Sequence, residues 1–359
     1  MNITVDTNAV YVTRAGTSRY VRGLLRALRS LETSDLVVSE LAWQVNNFEY
    51  RQPWRAFKTM YREWFWTRAI APRLISQQKA DILHRCSSLP IRHALSVKEI
   101  ATIYDLSVIR YPERFRKWHR FSESRRLKAL HHADRIICIS RFTADEAMNV
   151  LGLPANRIEV IYPGTEFNLQ TASLAKEHTN LQLPERFYLF VGSLEPGKNL
   201  ELLRSAWATA NSRGIDLPPL VVVGTRWQGV GREGPAPSSW QYVGYQPDEV
   251  LCRLYQRALA LVFPSKYEGF GLPVLEAMAL GCPVICSKVA SLPEVGGSAV
   301  CYAEMTPQAW LEAMLLLGND ATAREDMRLA GISQARNFTW TDCAAQTVNV
   351  YKKALGHAL

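Results

Sequence analysis

Phe263-Pro-Ser-Lys-Tyr-Glu268-Gly269-Phe270-Gly271-Leu272-Pro273-Val-Leu-Glu276-Ala-Met-Ala-Leu-Gly281-Cys-Pro283-Val reads as a strand end, a glycine-rich turn and a short helix. Pro273 suits the first helical position and Gly281 the residue just past the end. Gly269 and Gly271 let the backbone approach a ligand, because no side chain stands in the way. The amides near Gly271 and Leu272, reinforced by the helix dipole, make an anion site suited to phosphate oxygens. Glu268 and Glu276 flank that site. Carboxylates beside a diphosphate repel it unless they face hydroxyl groups instead, and a sugar nucleotide carries hydroxyls on its ribose and its hexose. The spacing fits a nucleotide sugar; the bland alternative is a surface helix with two solvated acids.

Upstream, Phe190-Val-Gly192-Ser193-Leu-Glu-Pro-Gly-Lys198-Asn199 repeats the pattern of strand, glycine turn and lysine before a helix. It predicts a second phosphate-binding element with Lys198 as the point charge. Around these two elements the second half alternates strands (187–191, 220–223, 241–243, 260–263, 283–286) with helices (199–208, 247–258, 273–280). The first half shows the same rhythm, with strands at 3–5, 80–84, 99–104, 135–139 and 157–162 and a helix at 18–31. Thr143-Ala-Asp-Glu146 reads as a capping box opening another helix. Residues 167–185 are mostly polar, lack a period and read as a linker. Strand–helix alternation in both halves predicts an α/β chain of two parallel sheets covered by helices, with ligands at the carboxyl ends of strands.

A length of 359 residues is long for one core, and two domains is the natural expectation. With 48% hydrophobic and 21% charged residues, disordered and fibrous classes are excluded. No apolar run is long enough to span a bilayer, and the N-terminus lacks the features of a signal peptide, so a cytosolic chain is expected. Seven cysteines without a Cys-x-x-Cys pair read as buried reduced thiols. The seven histidines form no metal spacing and the sequence has no Asp-x-Asp pair, so no metal or cofactor is expected. Residues 1–168 hold 26 Lys+Arg against 16 Asp+Glu, a net of +10, while the remainder holds 16 against 17, a net of −1. The halves therefore face different partners.

The stretch 263–284 resembles the signature of family four retaining glycosyltransferases, in which two glutamates separated by seven residues form the donor motif. The match continues through Val243-Gly244-Tyr245-Gln-Pro-Asp-Glu, Leu254-Tyr255, Ser291-Leu-Pro293-Glu294-Val-Gly296 and Phe338-Thr-Trp340. In the first half, Ala15-Gly16-Thr-Ser-Arg19-Tyr20, Asp105 and Ser140 sit in matching contexts. The resemblance implies the GT-B fold, two Rossmann-like domains facing each other across a cleft. Residues 1–168, with a C-terminal helix 340–359 crossing back, would form the acceptor domain, and residues 169–339 the donor domain. It implies Glu276 on the ribose hydroxyls and Glu268 on the donor sugar. Gly16, Gly192, Ser193, Lys198, Gly244, Tyr245, Gly269, Phe270, Gly271 and Leu272 would line the rest of the donor site, with Glu268, Lys198, Tyr104 and Asp105 nearest the chemistry. The family reacts without a protein nucleophile, the departing phosphate taking the acceptor proton. On that basis the protein's task is to stabilise the leaving diphosphate.

Three positions depart from the pattern. Ser193 and Gly197 stand where an additional cation is common, and Tyr104 precedes Asp105 where a histidine is usual. Tyr104 can hydrogen-bond a hydroxyl but cannot take up and release a proton near neutral pH as a histidine does, and Asp105 either contacts sugar or caps its local turn. The closest pattern is the mannosyltransferase branch that builds bacterial surface polysaccharides, which implies GDP-mannose as donor; UDP- and dTDP-sugars fit the same motifs. The implied acceptor is a glycan or polyprenyl-linked glycan. Residues 54–68 interleave aromatic residues with Arg55, Lys58 and Arg62, and residues 110–128 carry eight basic residues against Glu113 and Glu123. These stretches either dock on the inner face of the membrane, as an anionic surface, or pack the aromatics into the core with arginines solvated. No nucleic-acid motif is present. Gly229-Val-Gly231-Arg-Glu-Gly234 spells a dinucleotide fingerprint, but the prolines that follow read as loop. A nucleotide-sugar epimerase and a non-catalytic homologue binding sugar nucleotide or membrane are the remaining alternatives.

Overall fold

The computed structural model describes residues 1–13, 16–45, 54–87, 89–115, 117–169, 181–226 and 237–356. They divide into two units, Met1–Gly164 with Phe338–Leu359, and Thr165–Asn337. The first unit holds β1 (Asn2–Asp6), β2 (Val37–Leu41), β3 (Ile82–Arg85), β4 (Lys98–Ile103), β5 (Arg135–Cys138) and β6 (Ile158–Val160). The second holds β7 (Tyr188–Val191), β8 (Leu220–Val223), β9 (Gln241–Gly244), β10 (Leu261–Phe263), β11 (Val284–Ser287) and β12 (Cys301–Ala303). Each set forms a six-stranded sheet, in the orders β2-β1-β3-β4-β5-β6 and β12-β11-β10-β7-β8-β9. Every strand pair is parallel. The near-continuous apolar strands follow from this, since helices cover both faces of such a sheet.

β2 and β12 were not expected from the sequence. Both are edge strands; Val-Val-Ser-Glu-Leu has a polar middle, and Cys-Tyr-Ala is too short to show a period. In the second unit the order of strands reverses between β7 and β10, so the loops after Val191 and Phe263 emerge side by side. That switch point is where open α/β sheets bind ligands. Its core is aromatic: Trp207 stands edge-on to Tyr188 and Trp240, with ring centroids 6.1 and 5.4 Å apart.

In the first unit the helix Trp340–Ala354 packs on the helix Gly16–Ser30. Tyr351 from this last helix bonds His84 Nδ1 at 2.7 Å, and Thr102 Oγ1 lies 2.8 Å from Nε2. Burial, with the Arg85 charge beside it, holds His84 neutral, its pKa lowered to about 3. Six of the seven free cysteines are buried, and Cys301 is half-buried.

One local expectation is corrected, and one open alternative is decided in part. The helix opened by the supposed capping box runs Arg141–Leu151, and its cap is Ser140, whose Oγ accepts from Thr143 N at 3.0 Å. Ser140 has the extended backbone a cap requires, whereas Thr143 already lies inside the helix. Glu146 instead forms a forked pair with Arg110, at 2.6 and 2.5 Å. Of the two readings of the aromatic stripe, core packing holds only for Trp66, with Tyr61 packed against the same cluster. Trp54, Phe57, Met60, Trp64 and Phe65 are exposed, while Arg62, Glu63 and Trp66 are buried. From Tyr61 the chain runs as a π-helical segment, Tyr61–Ile70, so Arg62 to Trp66 leave the period on which the sequence reading rested. Glu63 turns inward to accept from Ser122 Oγ at 3.0 Å and Arg126 Nη2 at 2.6 Å.

Candidate donor site

The loop after β10 and the helix Leu272–Ala279 form the first wall of the switch point. Pro273 sits in the first turn of the helix and Gly281 follows its end with φ +71°. Gly271 caps the helix with φ +103°, and a Cβ there would lie 2.6 Å from Leu292 Cδ2. Its glycine is therefore demanded by the fold as well as by any approaching ligand. The helix ladder starts with Val274 N on the Gly271 carbonyl at 2.9 Å. The amides of Gly271 and Leu272 precede that ladder, and Pro273 has none. Leu272, Glu268 and Gly269 are half-buried, and Phe270 is buried.

The loop after β7 forms the second wall. Glu195 accepts from Gly197 N at 2.8 Å and fixes the single turn Pro196–Lys198, which carries Lys198 inward. Lys266 N donates to Gly197 O at 2.8 Å, tying the two walls together. Across this tie the Lys198 ammonium pairs with the Glu268 carboxylate and lies 5.4 Å from the Phe263 ring centroid. Ser291 Oγ donates to Glu268 O at 2.9 Å, and Ser287 Oγ donates to Ser265 O at 2.5 Å, so the glutamate's loop is braced from below. Glu276 is 4% exposed, and its Oε2 accepts from Tyr255 OH at 3.1 Å. Tyr255 is itself fully buried, edge-on to Phe167.

Gly192 and Ser193 begin the second wall, both half-buried. Gly244 ends β9, where a register shift against β8 brings it to Val223. Tyr245 beyond it is 48% exposed. The structure thus gathers Gly192, Ser193, Lys198, Glu268, Gly269, Phe270, Gly271, Leu272 and Glu276 onto loops and one helix at the switch point, with Gly244 and Tyr245 at the end of β9.

The remaining candidates belong to the first unit. Gly16 is exposed at the start of its helix; Ala15 before it lies outside the described residues, as do Gly229–Gly234 of the dinucleotide-like string. Tyr104 follows β4, and its hydroxyl donates to Cys86 O at 2.8 Å while Tyr20 stands edge-on at 5.1 Å. Burial pushes the Tyr104 phenol well up, so it stays protonated. Asp105 Oδ1 accepts from Ser107 N at 2.8 Å, which is the turn-capping role. Sequence reasoning missed Asp6. It ends β1 buried, with Oδ1 accepting from Asn8 N at 3.0 Å and Oδ2 accepting from the Ser87 hydroxyl. It also missed the bracing roles of Glu195, Tyr255 and Ser291. Their signal was visible only as polar residues inside matching segments, and the partners of Tyr255 and Ser291 lie 21 and 23 residues away in sequence. Among the described residues no group of three or more His, Cys, Asp or Glu side chains is placed to hold a metal ion.

Comparison with known proteins joins this geometry to a lineage. The family model described as Glycosyltransferase Family 4 matches residues 14–168, and Glycosyl transferases group 1 matches residues 173–334. O-antigen chain mannosyltransferase B of Escherichia coli is 34% identical over 285 residues, covering 76% of this chain and 74% of that relative. The chain belongs to glycosyltransferase family 4. Within the family it stands close to the bacterial mannosyltransferase branch. The serotype-specific mannosyltransferase WbdA of E. coli is 26% identical over 274 residues, 72% of this chain but only 34% of that relative's length. Among solved structures, sucrose-phosphate synthase from Thermosynechococcus elongatus superposes with a TM-score of 0.74 at 19% identity over 99% of both chains. That likeness shows the GT-B fold of this family 4 chain.

Proposed function

We propose that this family 4 glycosyltransferase moves a hexose, with retention of anomeric configuration, from a nucleotide-diphosphate sugar to a glycan or lipid-linked glycan in polysaccharide biosynthesis. Mannose from GDP-mannose is the first choice of donor, on the 34% likeness to an O-antigen mannosyltransferase. The observation that carries the reading is the Lys198–Glu268 pair, set where two loops meet at the switch point beside the Gly271 and Leu272 amides. An arriving donor separates the two charges. Lys198 and the amides take the diphosphate, and Glu268 takes the hexose hydroxyls. Glu276, held by Tyr255, takes the ribose.

In the transfer, the bond between the sugar's anomeric carbon and the phosphate oxygen breaks, and a bond to the acceptor hydroxyl oxygen forms. The acceptor proton passes to the leaving phosphate. Lys198 and the helix amides stabilise charge that grows on that phosphate, which is the kind of pre-set electrostatic help that dominates many enzymes. No cofactor and no metal enter this scheme, so chelator leaves turnover unchanged. The test incubates the purified chain with GDP-mannose, UDP-glucose and dTDP-rhamnose and a mannosyl acceptor. NMR then reads the released nucleotide and the anomeric configuration of the product. An inverted product defeats retention, and release from none of the donors leaves a binding protein in its place.

We also propose that the chain works on the cytoplasmic membrane face. The support is the exposed set Trp54, Phe57, Met60, Trp64 and Phe65, which belongs to the strongly basic first half. Arg68 and Arg125 lie over the Trp64 ring, 4.7 and 4.2 Å from its centroid. Aromatics backed by arginines suit the interface of an anionic bilayer. Among the described residues no helix is long and apolar enough to cross a membrane. Flotation with phosphatidylglycerol vesicles tests this; a chain that stays at the bottom of the gradient at low salt ends the idea.

A further inference from the structure

Beside this patch, the first unit has a cavity of about 490 Å³ with a different character. Its polar lining comprises Arg68, Arg85, Arg92, His93, Glu99 and His132. Three guanidiniums and two imidazoles thus face one carboxylate. That carboxylate is already used: Glu99 Oε1 accepts from Arg85 Nε at 2.8 Å, and Oε2 lies 3.3 Å from His93 Nε2. Arg85 is fully buried and also donates to Leu89 O at 3.2 Å, so the Arg85–Glu99 pair forms a neutral floor.

The rim keeps its charge. No carboxylate among the described residues pairs with Arg68 or Arg92. Arg68 Nη1 donates to Trp64 O at 3.0 Å, which leaves its other donors available. Arg92 N donates to Thr67 O at 3.1 Å, so a backbone bond holds the two rim arginines beside each other. Arg68 stands on the π-helical segment Tyr61–Ile70, and such segments recur at functional sites.

We propose that this cavity is a binding site for a phosphate group, separate from the donor site. Its volume falls within the ~300–1,000 Å³ of ordinary ligand sites. Arginine forks bind phosphate oxygens in pairs, and the imidazoles on the remaining walls add nitrogen donors for further oxygens. The site is also distinct from the end of the first sheet that carries Tyr104 and Asp105. Glu99 is the second residue of β4 and Tyr104 follows its last, a separation of about 16 Å at strand rise. The phosphate belongs either to a soluble ligand or to a lipid headgroup, and the chemistry recognised is the same.

The test reads the imidazole NMR signals of His93 and His132, which report on this cavity and not on the second unit. Inorganic pyrophosphate is one probe, and phosphatidylglycerol vesicles against phosphatidylcholine vesicles are the other. Saturable shifts with pyrophosphate identify a soluble ligand; shifts with phosphatidylglycerol vesicles alone identify a headgroup. In either case R68A/R92A weakens the response at least tenfold, while nucleotide-sugar binding to the second unit stays as it was. The variant F57S keeps the pyrophosphate response, since Phe57 lies outside the cavity. Signals that neither probe moves, or that move equally in R68A/R92A, overturn the proposal.

Discussion

Lys198 and Glu268, seventy residues apart in sequence, form an ion pair between the two loops that meet at the switch point of the second sheet. Both side chains are largely shielded from water, 18% and 12% exposed, so removing either strands the other. On the proposed mechanism Lys198→Ala lowers kcat about 10²–10³-fold, the usual loss of one pre-set charge at a leaving group. Glu268→Gln acts mainly on sugar discrimination and donor KM. The double variant costs less than the two singles combined, because each single leaves an unpaired charge. Steady-state kinetics of the four proteins checks this, and strict additivity contradicts the pairing.

Tyr255 does not face the reacting bond; it positions Glu276 through the 3.1 Å hydrogen bond. Tyr255→Phe keeps the packing against Phe167 and removes only the hydroxyl. Hydrogen bonds to charged groups are worth about 1.5–3 kcal/mol, so donor binding weakens roughly tenfold or more while kcat changes little. Calorimetric titration with the nucleotide sugar measures it. An unchanged affinity shows that Glu276 is held by its other contacts.

Gly23 lies in the helix Gly16–Ser30 directly beneath Trp340 of the last helix, and an added Cβ would come within 2.1 Å of Trp340 Cε2. Alanine at a helix interior ordinarily gains about 1 kcal/mol over glycine. Here the indole ring occupies the space, and overpacking costs about 1–3 kcal/mol. Gly23→Ala is therefore destabilising, read as a lower urea midpoint. A stabilised variant means the last helix moves freely off the first.

His84 dictates a pH dependence. Its folded pKa is lowered to about 3 against 6.5 for the free side chain, so between those values the unfolded chain binds the extra proton. Stability from this residue is complete above 6.5 and is lost as pH falls toward 3, at up to about 1.4 kcal/mol per pH unit. Asp6, pushed up from 3.8 by burial, acts in the opposite sense, since its folded state holds a proton longer. The informative quantity is thus the difference between the native chain and His84→Gln in urea titrations from pH 7 to pH 4. Parallel curves for the two proteins exclude a buried neutral His84.

Much of the candidate donor site was legible because its parts are local. Strand end, glycine turn and helix start are consecutive in residues 263–276, and each has a residue type required by backbone geometry. Gly271 at positive φ and Pro273 in the first turn are the plainest instances. The braces were not legible. Tyr255 meets Glu276, and Ser291 meets the Glu268 carbonyl, only after separate strands have been placed side by side. Tyr104 was read as a free hydroxyl toward sugar, and its bond to Cys86 O depends on the register of β3 with β4.

Taken alone, the amino-acid order determined two parallel α/β sheets, the family and the glycine-rich turn and helix start of the candidate donor site. Those follow from short-range periodicity and from turn residues whose backbone angles few alternatives satisfy. Folding in three dimensions decided which charges meet. It paired Lys198 with Glu268, turned Arg62 and Glu63 inward while leaving Trp64 and Phe65 outside, and set Arg68 beside Arg92 over a neutral floor. Pairing across sheet and helix faces depends on strand order and helical period, and a π-helical turn that shifts the period leaves no mark in the residues that adopt it.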